Sequence, residues 1–353
     1  MIRPLYHRIR MAIVLLSLAA GSRVNAQEQK SLALPPVELT PSENGLVVAR
    51  AKESFSTLSL MGSDLQPEPP LSGGKGETPE FTRETVRLKW RPSDPVDLYV
   101  ILPHGVKNPP VVLYLYGFPT DTERFKDNRY CQRLVQSGTA AVGFVSALTG
   151  YRAEHRPPKQ WFVSELPESL ASTVHDVQLI LNYLETRGDL DMSRVGMFGQ
   201  GSGAAIAILA AATDRRLKAL DLLNPWGDWP DWLANSPLIP KAERDSYLKP
   251  DFLKGLEPLE PVRFLPTLKS CPTRIQFVDD DNKATKAAED KLEAAAPATT
   301  KVFHFPNGRA MYAVNSEGRL FEWISTALKS LPETKQPAAK EAAANTPTGV
   351  SAR

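Results

Sequence analysis

The chain is poor in the residues that build disulfide scaffolds and metal centres. It has two cysteines, Cys131 and Cys271, and five histidines in 353 residues. Two cysteines exclude a disulfide-dense scaffold and a cysteine-built zinc site, and they read as separate, partly buried thiols. No H-E-x-x-H pattern and no His/Cys cluster occurs, so no metal site is expected. There is no charge excess of either sign, with 42 Lys+Arg against 40 Asp+Glu. Nothing therefore marks a nucleic-acid partner. No internal repeat is visible. What is present, 42% hydrophobic and 23% charged residues, is the composition of a globular protein with room for one large domain or two small ones.

The first 26 residues read as an export signal. Arg3, Arg8 and Arg10 precede the apolar run Met11–Ala20, and Val24-Asn25-Ala26 ends in a small-residue cleavage site. That run is too short for a membrane span, which needs ~20 residues, so no span is expected after cleavage. Removing the segment takes away four of the 42 basic residues and none of the 40 acidic ones, giving a mature balance of −2. It also removes His7. The expected destination is periplasmic or secreted. Residues 27–80 are rich in Pro, Ser, Gly and Glu and read as an irregular arm. Residues 332–353 lack periodicity and read as a disordered tail.

Between these ends, strands and helices alternate. Thr85–Trp90, Val96–Leu102, Val111–Tyr116, Ala140–Val145, Arg194–Phe198, Ala219–Leu223, Arg274–Val278 and Lys301–Phe305 read as strands. Val111–Tyr116 and Ala140–Val145 are continuous apolar runs, the mark of strands buried on both faces. Tyr130–Gln136, Ser169–Glu185, Ser202–Ala212, Lys286–Ala295 and Gly318–Leu328 read as helices. The pattern predicts an α/β fold with a mostly parallel sheet and helices on both faces. Residues 224–270 break the alternation. They carry Trp226, Trp229, Trp232 and many prolines, and read as an inserted cap.

The stretch RVGMFGQGSGAAI, Arg194–Ile206, is a strand, a sharp glycine turn and a helix of small residues. Two devices have this form. In the nucleophile elbow G-x-S-x-G, Gly199 and Gly203 are the flanking glycines and the apex is Gly201. In the dinucleotide fingerprint G-x-G-x-x-G/A, Gly199, Gly201 and Ala204 match, and Asp221 lies near the ribose-binding position.

Residues 83–330 resemble the α/β-hydrolase family, particularly its secreted esterase-like and dienelactone-hydrolase-like members. The resemblance rests on the order of elements. After an antiparallel start, Pro110–Phe118 (PVVLYLYGF) fits the strand leading to the oxyanion loop. The glycine elbow and the insertion follow. Gln276–Asp281 (QFVDDD) then fits the acid loop, and Phe305–Met311 (FPNGRAM) the histidine loop. This likeness implies an α/β-hydrolase fold over residues 81–331, with the cap at 224–270. It places Asp281 at the acid position, Gly201 at the nucleophile and Arg309 at the histidine. Tyr116 stands where a histidine is usual, before the oxyanion residues Gly117, Phe118 and Ser202.

Chemically, those substitutions remove the machinery of a serine hydrolase, which needs a hydroxyl nucleophile, a base and an acid that orients it. Glycine has no side chain. A guanidinium stays protonated and has no acceptor, so Arg309 cannot serve as a base; an ion pair with Asp281 is expected instead. Glycine also avoids the ~1–3 kcal/mol cost of an elbow backbone. Ser202, one residue late, is either an alternative nucleophile or a helix N-cap. Trp226 and Trp229, with Trp232, either line an apolar pocket or pin the insertion to the core. Among the remaining histidines, His104 falls in a turn and His304 within a strand. His175 beside Asp176 falls on a partly exposed helix face or packing contact, and His155 in a loop able to approach the pocket rim.

The resulting expectation is an exported pseudohydrolase that binds or scaffolds a small-molecule or ester-like ligand without a cofactor. An active ester hydrolase using Ser202 or another nucleophile is the first alternative. A dinucleotide-binding protein is the second.

Overall fold

In the computed structural model, the described residues are 53–61, 63, 67–91, 94–149, 152 and 162–332. The signal segment, the first part of the arm, the tail and the loop bearing His155 lie outside them. Nine strands form one sheet: β1 Leu71–Glu77, β2 Phe81–Leu88, β3 Val96–Pro103, β4 Pro110–Leu115, β5 Ala140–Phe144, β6 Asp191–Gln200, β7 Leu217–Leu223, β8 Thr273–Val278 and β9 Lys301–Phe305. Their order is β1-β2-β3-β5-β4-β6-β7-β8-β9. The first four in that order pair antiparallel, and every pair from β5 to β9 is parallel.

The apolar runs go where their patterns predict. All of β4 and β5 is buried. Alternate residues of β4 enter different cores: Val111, Leu113 and Leu115 one, Val112 and Tyr114 the other, as the two-residue strand period requires. The first core is closed by α2 (Leu166–Glu185) and α3 (Ser202–Thr213). The second is closed by α1 (Asn128–Val135) and α10 (Arg319–Lys329). Between β7 and β8 the insertion forms four short helices: α4 Trp229–Asn235, α5 Arg244–Tyr247, α6 Pro250–Leu256 and α7 Pro261–Phe264. A proline sits in the first turn of α4, α6 and α7, where its missing N–H breaks no helical bond. Helices α8 (Lys286–Ala295) and α9 (Gly308–Asn315) follow β8 and β9. No helix among the described residues is long and apolar enough to cross a membrane. Cys131 and Cys271 are free and buried.

Two expectations change. The arm read as irregular from 27 to 80 contains β1, an exposed Gly-rich strand paired with β2 from Leu71↔Arg87 to Glu77↔Thr82. Backbone pairing at a sheet edge needs no apolar side chain, so hydrophobic patterning does not reveal it. His175 and Asp176 are not on a partly exposed face; both are fully buried. Residues of the 53–61 segment cover them. Leu60 N–H donates to Gln178 Oε1 at 2.9 Å, and Gln178 Nε2 donates to the Leu58 carbonyl at 2.7 Å. Phe55 stacks on the His175 ring.

Under this segment lies an ionic network. Arg91 grips Glu53 with two bonds of 2.6 Å and reaches Asp176 at 2.6 Å. Arg152, fully buried, holds Asp176 at 2.7 Å and Asp94 at 2.8 and 2.7 Å. His175 Nδ1 is 2.7 Å from Glu53 Oε1, and Nε2 is 2.7 Å from the Thr57 carbonyl. The carboxylates of Glu53, Asp94 and Asp176 thus share two guanidiniums and the His175 ring, so the charges are paired, the condition under which burial is tolerated.

Burial alone would raise the Glu53 carboxyl, but hydrogen bonds and charge from Arg91 and His175 outweigh it and lower it to about 2. A depressed carboxyl stabilises the fold above its ordinary 4.5 and loses that contribution as pH falls towards 2. Glu53→Gln should lower stability by about 1–3 kcal/mol at neutral pH, because the Arg91 guanidinium loses one of its carboxylate partners while keeping Asp176. Urea unfolding from pH 7 to 2 should show a shallower acid loss in the variant than in the parent.

Candidate active site

At the C-terminal edge of the parallel strands, β6 turns into α3 through Gly201. The Gly201 backbone has φ 56° and ψ −119°, a region sparsely populated by residues with a side chain. The flanking glycines are fixed by contact. A Cβ on Gly199 would lie 2.5 Å from the Gly203 carbonyl oxygen, and one on Gly203 would run into the Leu115 carbonyl. Strand, turn and helix thus form the elbow predicted for RVGMFGQGSGAAI, with Gly201 at its apex.

Trp226 borders the apex. A Cβ at Gly201 would meet the Trp226 indole at 3.3 Å from Nε1 and 3.4 Å from Cε2. Trp226 is itself buried and packs on Trp232 with ring centroids 4.7 Å apart; Trp232 meets Trp229 edge to face at 5.8 Å. Trp229 Nε1 donates to the Leu259 carbonyl at 2.7 Å. These buried contacts pin the insertion, and Trp229 also lines a cavity in the cap.

Ser202 opens α3 and is fully buried. Gly201 occupies the N-cap position, and Ser202 Oγ instead accepts the Phe118 backbone N–H at 3.0 Å. In an elbow hydrolase the oxyanion is held by the N–H after the nucleophile and an N–H from the loop after the neighbouring strand. Those positions are Ser202 and Phe118 here, and the serine hydroxyl takes up the second donor. Gly117 allows the approach, since a Cβ there would lie 2.6 Å from the Gln200 carbonyl oxygen. Tyr116 points into the other core. Its hydroxyl bonds that of Tyr130, Arg124 lies 3.7 Å above its ring, and burial raises its pKa.

Asp281 follows β8, as expected of the acid position, but its carboxylate is engaged. Asn224 Nδ2 donates to Oδ2 at 2.8 Å, and Lys283 Nζ donates to Oδ1 at 2.8 Å. The expected Asp281–Arg309 ion pair is not formed. Arg309 is exposed in the first turn of α9, while Lys283 supplies the cation. The two loops nevertheless adjoin, for Gly308 N–H donates to Asp280 Oδ1 at 3.0 Å. Gly201 N–H reaches the Leu223 carbonyl at 2.9 Å, and the next residue, Asn224, reaches Asp281. The nucleophile and acid positions therefore lie on one strand edge, bridged by Asn224.

Asn224 is the residue that sequence reasoning missed. It is buried with φ 45°, and its side-chain oxygen accepts Val278 N–H at 2.8 Å. Its one signal is an asparagine just beyond a buried strand, a residue that tolerates the left-handed region.

No described histidine serves the elbow. His104 bonds Thr82 and the Pro79 carbonyl, His175 belongs to the ionic network, and His304 pairs with Glu293 at 2.9 Å. His155 lies outside the described residues. Among the described residues no His, Cys, Asp and Glu group could hold a metal ion.

The dinucleotide reading fails at its acid. Asp221 lies within β7, fully buried, with Arg274 at 2.9 and 2.6 Å and Gln276 at 3.1 Å. It cannot meet a ribose hydroxyl.

The fold's relationships agree with its topology. No family model and no curated protein sequence matches the chain. Solved structures do. An acetyl xylan esterase from Paenibacillus sp. R4 matches at TM-score 0.59 and 15% identity, over 76% of this chain and 92% of that one. Acetyl xylan esterase 1 from Thermoanaerobacterium sp. JW/SL YS485 matches at 0.56 and 12%, over 77% and 95%. The 2,6-dihydroxy-pseudo-oxynicotine hydrolase matches at 0.53 and 18%, over 70% and 68%. The chain has the α/β-hydrolase fold.

Glu289 on α8 is buried near this acid loop. Desolvation pushes its carboxyl up to about 7; Lys286 opposes the rise, and Asp279 and Asp281 add to it. A raised carboxyl favours folding below its ordinary 4.5, and that contribution is lost as pH rises through about 7. Stability should therefore fall between pH 5 and 8, and Glu289→Gln should flatten the trend. Urea midpoints at the two pH values measure it.

Proposed function

We propose that this protein is an exported pseudohydrolase, a ligand-binding or scaffolding protein on an α/β-hydrolase frame without serine-hydrolase chemistry. One observation carries the reading: the elbow apex is a glycine, which offers no nucleophile. The surroundings support it. The Ser202 hydroxyl is bound to the Phe118 N–H, and Asp281 is held by Asn224 and Lys283. The n-region, apolar run and cleavage site of the first 26 residues support export.

A second reading, an active ester hydrolase, draws on the fold shared with proteins named as esterases. It would need Ser202 or another nucleophile, and the Ser202 hydroxyl is fully buried and bound to the Phe118 N–H. A serine-directed fluorophosphonate and aryl acetate substrates separate the two. The expected result is no labelling and no hydrolysis above buffer. Labelling that Ser202→Ala abolishes would establish the alternative. Gly201→Ala should lower stability by ~1–3 kcal/mol, the cost of a side chain in this backbone region, as read by chemical denaturation.

A further inference from the structure

At the amino ends of β8 and β9, on the opposite edge of the sheet from the elbow, a cavity of about 280 Å³ opens against the second half of α10. That is just under the roughly 300–1,000 Å³ of sites for drug-sized ligands, a size suited to a single sugar ring. None of Gly201, Ser202, Asp281 or Arg309 lines it.

Charge is one-sided here. Lys301 is the single charged residue in the lining, and no carboxylate shares it. The stretches that form its walls, 269–274, 294–301 and 323–330, contain Lys269, Arg274, Lys301 and Lys329 and no acid. Of the acids that flank these stretches, Glu293 is bound to His304 at 2.9 Å, and Glu322 does not line the cavity. Asp221 neutralises Arg274, and Lys329 donates to the Ser137 carbonyl. The Lys301 ammonium makes no ion pair or hydrogen bond among the described residues.

Four hydroxyls share the lining. Thr273, buried, donates to the Cys271 carbonyl at 2.9 Å, and Ser330 donates to the Ala327 carbonyl at 2.7 Å. Their protons are committed, so towards a ligand these two only accept. The Thr299 and Thr326 hydroxyls have no hydrogen bond among the described residues and can donate. The Trp323 indole completes an apolar wall with Pro272 and Ala327, braced by the Arg274 guanidinium 5.3 Å from its ring centroid.

We propose that this cavity binds a hydroxylated monocarboxylate of monosaccharide size, a sugar acid. Its single negative charge meets the one ammonium. Its hydroxyls meet the two acceptors and the two free threonines, and its C–H face lies on the apolar body of the indole. A neutral sugar forgoes the charge, an amino sugar brings like charge, and an aliphatic carboxylate leaves the hydroxyls unmatched. The site is remote from the elbow, so it stands whether or not the elbow is catalytic.

The test is calorimetry and saturation-transfer NMR of the full mature protein with D-glucuronate. Glucose, glucosamine and hexanoate are the controls. One saturable site is expected, with glucuronate at least tenfold tighter than each control. Lys301→Gln, at an exposed position, should weaken glucuronate at least tenfold while leaving thermal unfolding unchanged, and Lys301→Arg should retain it. Thr326→Trp, exposed on α10, should abolish binding by filling the cavity. Absence of saturable glucuronate binding, equal binding of any control, or affinity indifferent to Lys301→Gln would each overturn the proposal. Fluorophosphonate labelling reads the other edge of the sheet, so this inference and the non-catalytic reading can fail separately.

Discussion

The close approach of three backbones at the elbow is the constraint on which the rest of the structure depends. Helix α3 starts so near strand β4 that a methyl group on Gly203 would run into the Leu115 carbonyl, and one on Gly199 into the helix itself. This contact sets α3 over the parallel strands, places Phe118 beside Ser202, and brings the end of β7 alongside the turn. It makes no reference to a nucleophile. The architecture of a hydrolase site can therefore persist on packing alone, while the side chains that would do chemistry are replaced.

The replacements form a consistent set. The Trp226 indole packs beside Gly201, and it stacks in turn on Trp232, which meets Trp229. The carboxylate of Asp281 no longer has an imidazole to orient, and Asn224 and Lys283 satisfy it instead. The hydroxyl of Ser202, buried where an unpaired polar group is costly, is satisfied by Phe118 N–H. Each group is resolved locally, as expected of a region stabilised as a core rather than kept open for substrate.

Much of this was legible in the sequence, because it depends on local pattern. The continuous apolar runs of β4 and β5, the helical spacing of α2 and the glycines of the turn encode their own burial or geometry. What was not legible depends on partners far along the chain. His175 and Asp176 read as a partly exposed pair because nothing near them announces a cover; Glu53, the partner of His175, lies 122 residues away. Arg309 read as the partner of Asp281 because the loops adjoin, as they do. The sequence does not tell that a helix begins at Gly308 or that Lys283, two residues from Asp281, takes its place. Asn224 was overlooked because its role arises from a left-handed backbone that ties two strand ends together.

The indole over Gly201 also bears on the history of such a site. A serine placed at position 201 alone would meet an unfavourable backbone and a close contact with Trp226, with none of the hydrogen-bonded histidines among the described residues paired to it. A histidine returning at 309 alone would stand on an exposed helical turn with no hydroxyl to serve. Removing Trp226 first would open a void in the cap. If the site is the non-catalytic one proposed above, each single step towards a triad loses stability or gains nothing, and packing then acts as an evolutionary ratchet.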